Sequence, residues 1–382
     1  MSTHNPTNAA PVRCPAIEHP DIPLTDPAGL DPLLGRLTAA EAVAADETFP
    51  VGTLRAGGRV DLCKQGLGAA GVARLLPEAA RSAHAVHLLL GTNAMGDEGA
   101  ATIAAALTSG HHVETLYLGC NRIDEAGAAA LATRLAGDGT VRALWLKRNP
   151  VGDAGVRAVA AMLRRNDTIR TLDLVNTGVT ADGLRALLTA LTGRTQPLER
   201  LYLGGNGLVA DSAGLLAALI REAGIRELYL TANHLGDQGA ATLAREASAA
   251  RPVSLGLGGN GIGPDGAWAL ADALGGIDSL DLGRAPSERT LGAPPNHTGD
   301  AGAAALAAAL PGSPLRRLEL RHSGITGRGA KHLLNAVPAD TRLEYVGFGP
   351  GVPRRVKRDL APRLRPTAGV HPDLRAIASV YR

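Results

Sequence analysis

A short unit of about 28 residues recurs along most of this chain of 382 residues, and it constrains the fold more than any other feature. Residues Val113 to Leu135, VETLYLGCNRIDEAGAAALATRL, show the unit once. The alternating leucines predict a short strand, the asparagine marks a turn, and the apolar spacing that follows predicts an amphipathic helix. Such a unit cannot bury its apolar face alone, so the chain is predicted to be an α/β solenoid of stacked units.

The first core residue of each strand marks the start of a unit. Successive marks lie 25 to 29 residues apart, with one interval of 38, at Val60, Leu88, Leu116, Leu144, Leu172, Leu201, Leu228, Leu255, Leu280, Leu318 and Leu343. They predict about 10–11 repeats over residues 59–348. The flanking segments are predicted as a disordered segment (1–28), an N-terminal cap (29–58) and a basic C-terminal cap or tail (349–382), since a solenoid needs its ends covered.

Three residue types recur in the turn between strand and helix. An asparagine is predicted to satisfy backbone groups of neighbouring turns and so to form a ladder along the stack, at Asn93, Asn121, Asn149, Asn206, Asn233, Asn260 and Asn296. A glycine six residues later predicts close packing of each helix against the next unit. Four acids just before that glycine are predicted to be helix N-caps: Asp97, Asp153, Asp237 and Asp300.

Composition argues against several functional classes. A net charge of +3 is too mild for the whole chain to bind a polyanion. Cys14, Cys63 and Cys120 are odd in number and lack metal-ligand spacing, which predicts neither a disulfide framework nor a zinc site and favours the cytoplasm. No apolar run predicts a signal peptide or a membrane span. The richness in alanine, glycine and arginine is typical of a bacterium with a GC-rich genome.

Catalytic motifs are not evident. His111 and His112 fall in a loop where exposed polar residues are ordinary, and no carboxylate or thiol stands at ligand spacing. Gly256 to Gly261 matches G-x-G-x-x-G, but in the context of a repeat strand and its turn asparagine rather than a dinucleotide-binding fold. The protein is therefore predicted to be no enzyme and to bind neither cofactor nor metal.

The residue between the two core leucines of each strand must point to the opposite face of the sheet. Aromatic residues take this position in four of five consecutive units, although aromatics are only 2% of the chain. Exposed Tyr and Trp give a large contact area for little loss of side-chain entropy. The charged residues at the same positions in the later repeats favour a basic partner. The predicted partner-binding residues are Tyr117, Trp145, Lys147, Asp173, Tyr202, Tyr229, Asp281, Glu319 and Arg321. The alternative is that aromatics merely suit strands and that the charges are solvated.

Two further segments have open interpretations. The segment from Arg354 to Arg365 contains six basic residues and one acidic residue. Arg354, Arg355, Lys357 and Arg358 are candidates for binding a polyanion such as nucleic acid. A solvated cover on the last repeat is favoured, because no aromatic interleaves the charges. The insertion GRAPSERTLGAPP at residues 283–295 is predicted to be an exposed loop, either a binding loop or a tolerated insertion.

The units LLLGTNAMGDEGAATIAAAL (88–107) and LYLTANHLGDQGAATLAREA (228–247) resemble the ribonuclease-inhibitor-like class of leucine-rich repeats. That class includes the sensor arrays of NOD-like receptors, Ran GTPase-activating proteins and bacterial GALA effectors, whose signature is similar to GAAALA at 127–132. The resemblance implies a horseshoe with a parallel concave sheet and convex helices. It favours a non-enzymatic scaffold that binds a protein or peptide on the concave face. A regulator of a GTPase, or nucleic-acid association through the basic segment, is the alternative.

Overall fold

The computed structural model describes residues 12–284 and 291–381. These residues divide into two bodies, each built from several of the short repeats and here called the N-terminal unit and the C-terminal unit. Among these residues, the N-terminal unit comprises 12–198 together with 370–381, and the C-terminal unit comprises 199–369. Each unit alternates a short strand with a helix and holds its strands in a largely parallel sheet. The predicted α/β repeat solenoid is therefore confirmed.

The strands of the N-terminal unit pair in chain order. They are β1 (Glu47–Thr48), β2 (Thr53–Arg55), β3 (Arg59–Asp61), β4 (His87–Leu89), β5 (Thr115–Tyr117), β6 (Ala143–Trp145) and β7 (Thr171–Asp173). The first three strands pair antiparallel, and β3 to β7 pair parallel. The register aligns Val60 with Leu88 and Leu88 with Leu116, so the repeat marks form one buried row.

The helices between residues 12 and 198 of this unit are α1 (Pro15–Glu18), α2 (Asp31–Thr38), α3 (Gly68–Ala79), α4 (Gly96–Ala106), α5 (Glu125–Leu135), α6 (Gly152–Leu163) and α7 (Ala181–Leu191). Helices α3 to α7 pack side by side in chain order. Leu131 and Leu135 of α5 are buried at helical spacing, like the corresponding residues of its neighbours. Each fully buried leucine contributes roughly 1.5–3 kcal/mol, so the core grows with every repeat.

The C-terminal unit repeats the pattern. Its strands are β8 (Arg200–Tyr202), β9 (Glu227–Tyr229), β10 (Val253–Gly256), β11 (Ile277–Asp281), β12 (Arg317–Glu319) and β13 (Tyr345–Gly347), all paired parallel. Its helices are α8 (Ala213–Arg221), α9 (Gly236–Ala244), α10 (Pro264–Asp272), α11 (Gly299–Ala309), α12 (Gly327–Ala336) and α13 (Arg354–Leu360).

The asparagine ladder is present as predicted. The side-chain amide of Asn121 donates to the carbonyl oxygens of Leu90 (2.8 Å) and Leu118 (3.0 Å), and its oxygen accepts from the N–H of Asn93 (2.7 Å). Thr177 takes the corresponding place in a repeat that lacks the asparagine, where its hydroxyl donates to the carbonyl of Leu174 at 2.8 Å. The buried turns are thus satisfied by side chains in place of water.

The four recurring acids do not cap their own helices, so that prediction was wrong. Asp153 lies inside α6, and its carboxylate accepts hydrogen bonds from the N–H groups of Thr180 (2.8 Å) and Gly183 (3.1 Å) at the start of α7. Asp97, Asp237 and Asp300 reach the next helix in the same way. A Cβ at Gly183 would lie 2.6 Å from Oδ1 of Asp153, so the recurring glycine permits this approach.

The N-terminal segment also departs from expectation. Residues 1–11 of the segment expected to be disordered lie outside the described residues. In the described part of that segment, which begins at residue 12, Cys14 and Ala16 are buried. Cys14 forms a disulfide with Cys120, with 6.1 Å between their Cα atoms, so the prediction of no disulfide was wrong. The guanidinium of Arg122 donates to the carbonyl oxygens of Ala16 and Pro20. Stacking of the repeats brings together residues that the sequence keeps 106 positions apart.

Candidate functional site

The face of each sheet that lies away from the buried leucines and from the helices of the repeats is here called the helix-free face. It carries the predicted partner-binding residues. In the N-terminal unit it is lined by two rows of strand residues in register. One row is Arg59, His87, Thr115, Ala143 and Thr171, and the other is Asp61, Leu89, Tyr117, Trp145 and Asp173. This alternation follows from the two-residue period of a strand.

The prediction that Tyr117 and Trp145 are exposed was wrong. Tyr117 is 4% exposed, Trp145 is 1% exposed, and Asp173 beside them is buried as well. The two rings lie 6.5 Å apart at 40°, and the ammonium group of Lys147 lies 5.9 Å from the centre of the Tyr117 ring. A bare sheet face would leave such side chains in water, so another part of the molecule must cover them.

Residues 370–381, here called the C-terminal segment, lie on this face. The segment contains a short helix, α14 (Pro372–Ala376), followed by a 3-10 turn at Ala378–Tyr381. The carboxylate of Asp373 accepts a hydrogen bond from the hydroxyl of Thr171 (2.7 Å) and two from the guanidinium of Arg170 (3.2 and 3.3 Å). Asp373 itself is buried, which marks one end of the covered surface at β7.

The other end of the covered surface lies at β3. The guanidinium of Arg59 donates to the backbone carbonyl of Arg375 at 3.4 Å. Ala376 and Ile377 are buried, and Ser379 and Val380 line a cavity of about 310 Å³ together with residues of β2 and β3. The segment therefore extends from β7 to β3, across the part of the sheet that includes β5 and β6, the strands of the aromatic pair.

Burial changes the acid–base behaviour of this face. It raises the pKa of Asp173 to about 6, although the positive charges of Lys147 and Arg148 partly oppose the effect. Burial alone would also raise the pKa of Asp373. Hydrogen bonds from Arg170 and Thr171 outweigh it, so the pKa of Asp373 is lowered. The carboxylate of the C-terminal segment is thus held in its charged form by the sheet.

The helix-free face of the C-terminal unit carries the second aromatic pair. Tyr202 and Tyr229 are in register on β8 and β9, and their rings stack 4.4 Å apart at 8°. Both side chains are half-buried. Gly256 follows in the same row, where a Cβ would lie 2.6 Å from the ring of Tyr229. Glycine at this position leaves room for the stacked pair.

An ion pair restrains the stack. The guanidinium of Arg200 donates to both carboxylate oxygens of Glu227, at 2.8 and 2.7 Å, and the hydroxyl of Tyr229 donates to Glu227 at 2.9 Å. Burial and then the charge of Glu227 raise the pKa of Tyr229, so its hydroxyl remains a donor. Two-point Arg–carboxylate geometry fixes both side chains more tightly than a single contact would.

The predicted charged sector lies further along the same face. The carboxylate of Glu319 accepts from the guanidinium of Arg321 (2.9 Å) and from the hydroxyl of Tyr345 (2.9 Å). Burial raises the pKa of Asp281 to about 6, and the charge of Glu319 adds to the effect. The guanidinium of Arg317 lies 4.7 Å from the centre of the Tyr345 ring.

Tyr345 is a residue of this face that the sequence pattern missed. The last strand pairs Leu318 with Val346, so Leu343 corresponds to Leu315 and does not begin the last repeat. Glu344, the residue that follows the mark at Leu343, therefore lies just before the strand and not within it. The three-residue spacing of Leu315 and Leu318, repeated at Leu343 and Val346, could have given the correct register.

The basic segment caps the last repeat with half of its cations. Lys357, Arg363 and Arg365 donate to the backbone carbonyls of Gly349, Leu334 and Thr341. The side chains of Arg355 and Arg358 are mostly exposed, and each lies near Asp359. Arg354 is also exposed. Of the predicted polyanion-binding residues, Lys357 therefore has a structural contact, whereas Arg354, Arg355 and Arg358 are exposed.

The remaining polar candidates have structural surroundings. His111 is buried, not exposed as its loop position predicts, and its Nε2 lies 2.7 Å from the carboxylate of Asp138. Within residues 12–284 and 291–381 there is no group of three or more potential metal ligands. No described helix is both long and apolar enough to cross a membrane. Residues 285–290 of the insertion at 283–295 lie outside the described residues, and the guanidinium of Arg284 donates to the carbonyl of Ala293 across them at 2.9 Å.

Some of these repeats match a known repeat family. A family model described as a leucine-rich repeat matches residues 111–132, 165–188 and 225–244, each of which falls on the strand and helix of a repeat. The chain therefore contains leucine-rich repeats. No curated protein matches the chain.

The fold is shared with a solved structure. A chain of the Rad7 and Elc1 complex in yeast has a TM-score of 0.50 and 14% identity, over 89% of this chain and 82% of that chain. The actin-binding site 2 of leiomodin-1 has a TM-score of 0.28 and 19% identity, over 31% of this chain and 69% of that chain. At these identities the first likeness establishes the fold and not the function.

Proposed function

We propose that this protein is a non-enzymatic binding scaffold that recognises a segment of a partner protein on the helix-free face of the C-terminal unit. The stacked pair of Tyr202 and Tyr229 is the observation that carries the proposal. The surface is aromatic at one end and charged at the other. Such a surface suits contact with a protein better than the enclosure of a small molecule.

The tyrosine pair has the properties of a binding hot spot. Its rings are held by their own stacking and by the Arg200–Glu227 pair, so little side-chain freedom remains to be lost on binding. Tyrosine is enriched among hot-spot residues, whose truncation to alanine costs about 2 kcal/mol or more of binding free energy. A partner is expected to place an apolar or aromatic side chain against the pair.

The charged sector indicates what else the partner carries. Asp281 lies in the same row as the tyrosine pair and accepts a hydrogen bond from the N–H of Gly283 at 2.8 Å. Its raised pKa reflects a carboxylate that is poorly solvated, and an arriving cation would stabilise the charged form. A lysine or arginine beside the apolar side chain therefore fits this face. The electrostatic attraction between this cation and the charged sector should weaken with added salt.

A cross-linking pull-down from the native cell tests this function. The test variant is Tyr202→Ala/Tyr229→Ala. The matched control is Trp268→Ala, which removes an aromatic side chain that is 51% exposed on α10 of the same unit. Partners captured by the wild type and the control, but lost by the folded test variant, would support the proposal. If the folded test variant keeps every partner, this face is not the binding surface.

A further inference from the structure

We propose that the C-terminal segment is a built-in ligand, which occupies a second peptide-binding site on the helix-free face of the N-terminal unit. The external ligand of that site is a short amphipathic helix with an acidic residue in its first turn, and it must displace the segment to bind. This inference concerns a different face from that of Tyr202 and Tyr229 and does not depend on it.

The site has a polar end built for a carboxylate. The side chains of Thr171 and Arg170, at the start of β7, together donate three hydrogen bonds to Asp373. Asp373 is the second residue of α14, where a negative charge also interacts favourably with the helix N-terminus. The N–H of Asp373 is itself bonded to the ring of His371 at 3.2 Å.

The site also has an apolar end. Ala376 and Ile377 follow Asp373 by three and four residues, which places all three on one side of a helical turn. Both are buried, as are Leu89, Tyr117 and Trp145 of the second row of the sheet face. The spacing defines the ligand: an acid, then apolar residues three and four positions later.

The segment is joined to the chain in a way that permits release. Residues 365–370 are exposed, and Val370 is 60% exposed. The segment meets the sheet through side chains and one backbone carbonyl, without pairing as a strand in the described sheet. A tethered ligand of this kind acts at an effective concentration of about millimolar. A free ligand of equal chemistry is therefore outcompeted until the tethered one is weakened.

The test uses the full chain and a labelled synthetic peptide with the sequence of residues 368–382, AGVHPDLRAIASVYR. The released variant is Asp373→Lys/Ile377→Asp, which sets a cation against Arg170 and a charge against the apolar end. The matched control is Ala378→Asp, which places the same acid at the exposed neighbour of Ile377. Circular dichroism checks that both variants keep their helix content, and fluorescence anisotropy measures peptide binding.

The released variant is expected to bind the peptide at least about tenfold more tightly than the wild type or the control, because it lacks the tethered competitor. A peptide with Asp373→Lys should not bind. Equal binding to all three proteins, or binding to none, would overturn the proposal.

A second measurement needs no protein variant. Millimolar peptide carrying Arg375→Gln, which differs in mass from the segment, is added to the wild type, and amide exchange of residues 374–380 is followed. Displacement predicts faster exchange in these residues. Unchanged exchange would mean that the segment is a fixed part of the fold, and the proposal would fail.

Discussion

The carboxylate of Asp373 accepts a hydrogen bond of 2.7 Å from the hydroxyl of Thr171, which lies 202 positions earlier in the chain. This contact brings the C-terminal segment onto the face where the repeat pattern predicts an open docking surface. The two aromatic pairs therefore differ: Tyr117 and Trp145 are covered, while Tyr202 and Tyr229 are half-buried. Binding through the first pair would require the C-terminal segment to be displaced, and binding through the second pair would not.

The acid that links one repeat to the next should matter for stability. Asp153→Ala removes the acceptor for the N–H groups of Thr180 and Gly183 and is expected to lower the free energy of unfolding by about 1–3 kcal/mol. Asp182→Ala, an exposed acid in the first turn of α7, should change it by less than about 0.5 kcal/mol. Urea denaturation of both variants measures the difference. Equal midpoints would show that the link between the helices contributes little.

The buried Asp173 should make stability depend on pH. Its pKa of about 6 in the fold lies above the ordinary 3.8, so the stabilisation it gives when protonated is lost as the pH rises through 6. Asp173→Asn should therefore stabilise the protein above about pH 6, by roughly 1–3 kcal/mol, and lose this advantage below about pH 4.

Urea unfolding at pH 4, 6 and 8 checks this behaviour, with Asp265→Asn as an exposed control on α10. A stability difference between wild type and Asp173→Asn that stays constant with pH would show that burial does not shift this carboxyl group.

The disulfide should hold the N-terminal segment in place. Cys14→Ser, or reduction of the wild type, is expected to speed amide exchange over residues 12–20 while leaving α5 protected. Cross-linking residues 106 positions apart restricts the unfolded chain, and a closed loop of this length is worth roughly 4.7 kcal/mol in the chain-entropy view. Cys63→Ser is the control, because that thiol is free and burial raises its pKa to about 12. Exchange that is the same in oxidised and reduced protein would count against this role.

Local and periodic features were predictable from the sequence. The strands, the helices and the asparagine ladder follow from leucine and asparagine at fixed spacing, because each repeat meets a copy of the same environment. Asp153 was misassigned because its partners belong to the next helix, which the sequence of one repeat does not reveal. Tyr345 was missed because Val346 takes the place of the expected leucine in the last repeat.

Long-range contacts were not predictable. Nothing in the spacing of Tyr117 and Trp145 distinguishes them from Tyr202 and Tyr229. The difference arises because Asp373 and Ile377 lie on one sheet face, and such non-local pairing leaves no periodic signal. The pairing of Cys14 with Cys120 is hidden for the same reason.

Fluorescence of Trp145 tests the coverage of the N-terminal face most directly. The chain has two tryptophans, and Trp268→Phe leaves Trp145, which is 1% exposed, as the only one. In that background, acrylamide quenching should be weak and the emission blue-shifted. Adding Asp373→Lys/Ile377→Asp should increase quenching and shift the emission to the red, while adding Ala378→Asp should change neither. Equal quenching in all three proteins would contradict the account, because Trp145 would then be buried without the C-terminal segment.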